Sequence, residues 1–224
     1  PSEAAAWIAF VARGLEEAHV RGLIHRDLKP GNIFFAQNDR GEVLPKVLDF
    51  GVSKATHPRD GDFVKTTTGA VLGSPAYMSP EQAKGETDVD ARSDIWSLGV
   101  ILYEAVTGHV PFDAPNYNAL MVAIMMQPHR PAIELVPSMP PALSALIDRA
   151  LEKDRKQRIP NASELADRLE AIVSRITVTP LAQFQARMTS FVPPPMPRSG
   201  STTQGTWSGG KRTPMRPRRY SGVW

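Results

Sequence analysis

The chain has 224 residues, 42% hydrophobic and 22% charged, the composition of one soluble globular domain with length left over for a tail. It contains no cysteine, which excludes a disulfide framework and any thiolate-bound metal. The net charge of +3 is unevenly distributed: residues 181–224 carry seven basic side chains and no acidic one, whereas the first 180 carry 19 basic against 23 acidic, so the body is not a basic nucleic-acid-binding domain.

In chain order, Ser2 is placed to cap a first helix, with Glu3 in its first turn. Trp7, Ile8, Val11, Ala12, Leu15 and Ala18 recur at helical spacing, and Gly22 is suited to end the helix. Ile33–Phe35 and Val43–Leu48 predict two short strands joined by the turn Asn38-Asp39-Arg40-Gly41. Residues 52–82 show little periodicity and read as a long loop, which inside a compact domain is functional or disordered. Ser93 to Val106 is apolar on nearly every side, as a helix at the centre of a domain must be, and Gly108 stops it. Asn116–Met126 and Ala142–Leu151 predict shorter amphipathic helices. The capping pair Asn161 and Glu164 opens a last one, with Leu165, Leu169, Ile172, Val173 and Ile176 as its apolar stripe. Beyond Pro180 the text is rich in Pro, Ser, Gly and Arg, so residues 177–224 are expected to be a disordered basic tail.

The longest apolar run, Leu98–Val106, is broken by Gly99 and Glu104 and is far short of a membrane span. No charged-then-apolar leader opens the sequence, so a cytoplasmic location is expected, with anchoring of a parent protein left open. His19, His57, His109 and His129 lack metal-ligand spacing and read as surface or boundary residues. Met121, Met125 and Met126 read as core or groove filler.

The chemistry is concentrated in His25-Arg26-Asp27-Leu28-Lys29-Pro30-Gly31-Asn32 and, one hairpin later, Asp49-Phe50-Gly51. Pairing the two strands brings Asn32 and Asp49 to one end of the hairpin. Two oxygen ligands beside a carboxylate and a cation suit Mg²⁺ carrying a phosphate chain. Asp27 is then placed to orient and deprotonate an attacking hydroxyl.

The octet resembles the catalytic loop of eukaryotic-like protein kinases, and Asp49-Phe50-Gly51 resembles their metal-binding motif. Gly73 to Glu81 resembles the peptide-docking loop and Ala-Pro-Glu motif, with Ser79 in place of Ala. Asp94-Ile95-Trp96-Ser97-Leu98-Gly99 resembles the start of the family's central helix, and Lys153 to Arg158 the segment whose arginine pairs with Glu81. The wording is most similar to bacterial serine/threonine kinases, over about residues 2–176.

The resemblance implies an α+β protein kinase fold, of which residues 1–176 are the mainly helical large lobe with a short β-hairpin. It implies transfer of the γ-phosphate of ATP to serine or threonine of protein substrates. Asp27 becomes the catalytic base, and Lys29 the contact to the transferring phosphate. Asn32 and Asp49 become the Mg²⁺ ligands. Ser74 matches the substrate-docking hydroxyl that bridges Asp27 and Lys29. His25, Phe50, Glu81, Asp94 and Arg158 match structural positions. Thr66, Thr67 and Thr68 read either as a solvated polar stretch or, the favoured reading, as a regulatory site whose phosphate Arg26 is placed to pair with. The glycine-rich loop, strand lysine and hinge of the family's small lobe have no counterpart here, so that lobe, and a second copy of the kinase, are expected partners. The alternative is a non-catalytic lobe that docks a substrate or another kinase. A nucleic-acid or acidic-membrane contact by the tail lacks any folded module behind it. A small-molecule phosphotransferase is opposed by the peptide-docking loop.

Overall fold

The structure, a computed structural model, describes residues 1–39, 41, 43–50 and 74–176. Helix α1 (Ser2–His19) buries the stripe Ala5, Ile8, Ala12 and Leu15. Ser2 is its first residue and not its cap: the first turn is closed by the Ala5 N–H donating to the Pro1 carbonyl. Past His19 the chain makes a further turn. Gly22, at φ +75°, donates to the His19 carbonyl while Leu23 donates to that of Ala18, the two-bond pattern that a left-handed glycine allows at a helix end.

The strands are β1 (Ile33–Gln37) and β2 (Val43–Val47), antiparallel, with Ile33 opposite Val47 and Phe35 opposite Pro45. The turn closes through the Gly41 N–H donating to the Asn38 carbonyl, with Gly41 at φ +76°. Trp7 of α1 meets the Phe35 ring edge-on, centroids 4.7 Å apart, and so fixes the hairpin to the helix. Residues 51–73, which include Gly51, His57, Thr66, Thr67 and Thr68, lie outside the described residues, as does the tail 177–224.

The remaining helices are α2 (Pro80–Ala83), α3 (Arg92–Thr107), α4 (Tyr117–Met126), α5 (Ala132–Leu135), α6 (Pro141–Ala150) and α7 (Ala162–Ile176). As its all-round hydrophobicity requires, α3 is the core: every residue from Ser93 to Tyr103 is buried. Gly108 ends it at φ +76°. Asn116 caps α4 by accepting from the Ala119 N–H at 2.9 Å. Asn161 accepts from the Glu164 N–H at 2.8 Å, but the Glu164 carboxylate turns to Arg168 and leaves the capping box half made. Of the three methionines on α4, Met121 is buried and Met125 packs on the core, whereas Met126 faces solvent, contrary to its reading as filler.

Helix α7 packs along α1, and a polar seam fixes their register. Arg13 donates to Glu170 at 3.1 and 2.9 Å and to Asp167, while Glu16 accepts from the Ser163 N–H at the start of α7. Helix α6 lies against α3 at Gly99, where an added Cβ would stand 2.8 Å from Ala150 Cβ and 3.2 Å from Leu151 Cδ2. The absence of a side chain sets that helix separation.

Lys153 closes the end of α4 from below α6. Its ammonium donates to the carbonyl of Ile124 (2.6 Å) and to that of Ala123 (3.3 Å), which also accepts the Gln127 N–H, and sits 3.6 Å from the Phe112 ring centroid. Burial, aided by the charge of Arg158, pulls its pKa down to about 8.

Two predictions follow from these contacts. Gly99→Ala should destabilise the fold by about 1–2 kcal/mol, overpacking outweighing the gain in helix propensity, and a second change, Ala150→Gly, should restore part of it in thermal unfolding. Lys153 releases its proton near pH 8 when folded but near 10.5 when unfolded, so the unfolded chain binds more protons in that window. Stability should therefore rise between pH 8 and 10.5 in wild type and lose that rise in Lys153→Met, measured by denaturant unfolding.

Candidate functional site

Residues 24–32 contain little regular structure, so their backbone must find its partners in side chains. The Asp94 carboxylate, in the first turn of α3 and fully buried, supplies them. Its Oδ2 accepts from the His25 N–H and its Oδ1 from the Arg26 N–H, both at 2.9 Å. His19 Nε2 donates to Oδ2 at 2.8 Å. Arg26 is held at φ 63°, a left-handed conformation that a non-glycine residue keeps only under such restraint. Its carbonyl accepts from Gln82 Nε2 at 2.7 Å. His19 is a boundary residue, as its sequence reading has it, with its ring turned inward and only 6% exposed.

His25 is fully buried and locks the loop to the hairpin. Its Nε2 lies 2.9 Å from the Leu48 carbonyl, and its Nδ1 accepts from the Asp27 N–H at 3.3 Å. Those two partners require the proton on Nε2. The ring also packs on Phe50, centroids 5.1 Å apart. Asp27 is thus aimed by its own amide. Its carboxylate accepts from Lys29 Nζ at 3.1 Å, and its carbonyl accepts from Asn32 Nδ2 at 2.8 Å. The Asn32 amide donors face the loop, so the planar group turns Oδ1 the other way.

The Asn32 carbonyl accepts from the Leu48 N–H at 2.8 Å, which places Asp49 one residue beyond the hairpin pairing. Asp49 is exposed and holds a left-handed φ of 55°. Asp27, Lys29, Asn32 and Asp49 therefore converge on the open end of one hairpin, in backbone terms, as the pairing argument requires. Among the described residues no group of three or more His, Asp or Glu gathers as a metal cage. One amide and one carboxylate instead suit a hard cation that completes its shell with phosphate oxygens.

A second anchor lies beneath. Glu81, at the start of α2, forms a bidentate pair with Arg158 at 2.8 and 3.0 Å, both side chains buried. Burial works to raise the Glu81 pKa, but the bonds and charge of Arg158, with the Ser93 hydroxyl at 2.8 Å, outweigh it and hold the carboxyl below its ordinary range. Ser79 caps α2: its Oγ accepts from the Gln82 N–H, and Gln82 Oε1 accepts from the Ser79 N–H. The Ser-x-x-Gln spacing was a legible signal for this cap. Tyr77, whose hydroxyl donates to Glu104 at 2.7 Å, and Gln82 belong to the site without having been singled out from the sequence. Arg26 Nε is buried with no partner among the described residues. The side chain of Ser74 lies outside the described residues.

The family model described as protein kinase domain matches residues 1–168. The chain is 37% identical over 232 residues to serine/threonine-protein kinase pkn2 of Myxococcus xanthus, covering all of this chain and 27% of that protein. Tyrosine-protein kinase MasK of the same organism is 40% identical over 171 residues, with 73% of this chain and 25% of that protein covered. The chain thus spans about a quarter of the length of these curated relatives. Among solved structures, a crystal structure of Rad53 residues 1-466 with AMP-PNP matches 75% of this chain and 40% of its own, at TM-score 0.56 and 25% identity.

Asp94→Asn tests the anchor. It sets an amide donor against backbone N–H groups while keeping the size of the side chain. We expect amide exchange at His25 and Arg26 to quicken at least tenfold and stability to fall by about 2–4 kcal/mol, measured by hydrogen exchange and denaturant unfolding.

Proposed function

The chain belongs to the protein kinase family, and from that premise we propose that residues 1–176 are the large lobe of a serine/threonine kinase. The observation that carries this reading is the set of bonds that aims Asp27: the His25 ring, the Lys29 ammonium at 3.1 Å and the Asn32 amide at 2.8 Å. In this reading Asp27 accepts the proton of a substrate hydroxyl, or orients that hydroxyl for attack. Lys29, held beside it, faces the negative charge of the transferring phosphoryl group. Asn32 and Asp49 would hold Mg²⁺, which with ATP supplies the transferable phosphoryl group and neutralises its charge. The serine/threonine assignment rests on Lys29 within Asp27-Leu28-Lys29-Pro30 and on the likeness to pkn2.

Within the same proposal, Arg26 is the regulatory contact: its unpartnered buried Nε would pair with a phosphate on Thr66, Thr67 or Thr68. Phe34, Leu44 and Leu48 expose large apolar side chains on the hairpin and its end, the surface on which a small lobe would seat. No Gly-x-Gly-x-x-Gly occurs in the 224 residues, so the phosphate-covering loop must come from that lobe. No helix among the described residues is long and apolar enough to cross a membrane.

The experiment has two arms. Residues 1–224 alone should bind ATP weakly and only with Mg²⁺, in calorimetry with and without the metal, because acidic groups otherwise repel the triphosphate. Joined to a small lobe, they should phosphorylate serine or threonine in phosphoamino-acid analysis, and Asp27→Asn should lower the rate by at least 100-fold. Equal phosphate incorporation by wild type and Asp27→Asn would overturn the assignment and favour a docking lobe.

A further inference from the structure

Helix α1 carries an aromatic face on the side away from its buried stripe. Trp7, Phe10 and Gly14 recur at i, i+3 and i+7 and so share that face. The two rings lie 6.5 Å apart and are half-buried, and Phe35 of β1, which meets Trp7 edge-on, is still 45% exposed. Gly14 is exposed one turn beyond Phe10 and leaves a gap in the stripe, since an added Cβ would meet nothing within 4 Å. Glu3 and Glu17 are exposed at the two ends of the stripe, Glu17 already paired with Arg21. This is not the face on which a small lobe would seat. Side chains alternate along a strand, and partners directly opposite share a side. Phe34 and Leu44 therefore point to one side of the hairpin, and Phe35 with Pro45 to the other, where Trp7 stands.

The end of α7 lies close to this face. Arg13 bonds to Asp167 and Glu170, and Glu16 accepts from the Ser163 N–H, so α1 and α7 run antiparallel. Ile176, the last residue of α7, is six residues past Glu170, and Trp7 is six residues before Arg13, a rise of about 9 Å along each helix. Helix α7 therefore ends about level with the first two turns of α1. Pro180 has no N–H to offer the Ile176 carbonyl, which accounts for the stop. The sequence then reads Leu181-Ala182-Gln183-Phe184-Gln185-Ala186-Arg187-Met188, with one basic residue and no acidic one. Leu181, Phe184 and Met188 stand at the same intervals as Trp7, Phe10 and Gly14. On a helix each stripe is about 10 Å long, and the stretch from Ile176 to Leu181 can span about 17 Å, more than the width of α1.

We propose that residues 180–188 cover the aromatic face of α1 in the same molecule, Leu181 against Trp7, Phe184 against Phe10 and Phe35, and Met188 over Gly14. Three apolar side chains remove the exposed rings from water without leaving a polar group unpaired. The unbranched thioether of Met188 suits an irregular gap beside aromatic rings. Arg187 comes to a face whose ends carry acids. The short connection makes the contact intramolecular, at an effective concentration that a second molecule does not match. Residues 180–188 then belong to the fold, and the tail expected from composition begins after them. The hairpin whose end carries Asn32 and Asp49 gains a second hold on α1 through Phe35.

The chain has no cysteine, so an introduced pair reports proximity without background. In the full 224-residue protein, Gly14→Cys with Met188→Cys should close a disulfide under mild oxidation at least tenfold faster than Val122→Cys with Met188→Cys, whose first thiol is exposed on α4. The open space at Gly14 admits the new side chain. Adding Phe184→Asp should slow the first pair to the rate of the second. In the otherwise unchanged chain, Phe184→Asp should speed amide exchange in β1 about fivefold, because the hairpin loses its cover. Equal rates for the two pairs would overturn the proposal. So would disulfides formed only between molecules, the mark of a second copy on this face. Crosslinking unchanged by Phe184→Asp would overturn it too, since tethering alone would then explain the closeness. Crosslinking abolished by a joined small lobe would assign the face to that lobe instead.

Discussion

A carboxylate with no exposure to water must be fully paired, and Asp94 meets that demand with the amides of His25 and Arg26 and the ring of His19. The demand runs in both directions. The loop cannot relax from its left-handed turn at Arg26 without leaving a buried charge short of donors. The strain at that residue is about 1–2 kcal/mol, whereas each hydrogen bond to a charged group contributes about 1.5–3 kcal/mol. Two such bonds outweigh the strain, and the unusual backbone is the stable one. The direction of Asp27 is inherited from it.

The neighbouring residue on α3 extends the same logic. Ser93 donates to Glu81 and lies 3.1 Å from Ser79 Oγ, so consecutive residues of one helical turn hold the loop at residues 24–32 and the start of α2. Gln82 joins the two through the Arg26 carbonyl. Arg158 completes the seam, donating to Glu81 and to the Arg92 carbonyl from a position where its guanidinium also lies 5.2 Å from the Trp96 ring. A buried ion pair contributes little net stability but is costly to break, which makes it a device for specifying one arrangement. Here the arrangement specified is that of the two loops against the centre of the fold.

The helices and the hairpin were legible because their signals are local: apolar spacing in α1, α3 and α7, turn residues at 38–41, and glycines at 22 and 108. The Glu81–Arg158 pair and the cluster around Asp27 were legible through motifs, whose order along the chain encodes contacts that spacing alone does not reveal. The role of His19 was not. Its partner lies 75 residues away, and nothing in the neighbourhood of a single histidine on a helix distinguishes a solvated ring from one that closes a buried carboxylate. Ser2 failed as a cap for the opposite reason, since the residue type fits while the bonding of the first turn is supplied by the Pro1 carbonyl. The short helices α2 and α5 fall below the length at which periodicity can speak.

Proline in a strand is ordinarily a loss, and Pro45 shows where it becomes an asset. The Leu48 N–H bonds to the Asn32 carbonyl, so counting along the register puts Phe35 and Pro45 at a pair that exchanges no ladder bonds. The Pro45 nitrogen therefore points outward, to the open side of β2, and the hairpin forfeits nothing by it. What that open side lacks is a donor at its middle. A two-stranded ribbon with Phe34, Leu44 and Leu48 exposed would otherwise offer a template for a third strand from another molecule. The ring interrupts that template, so the hairpin can expose apolar side chains while resisting the edge-to-edge growth that leads to fibres.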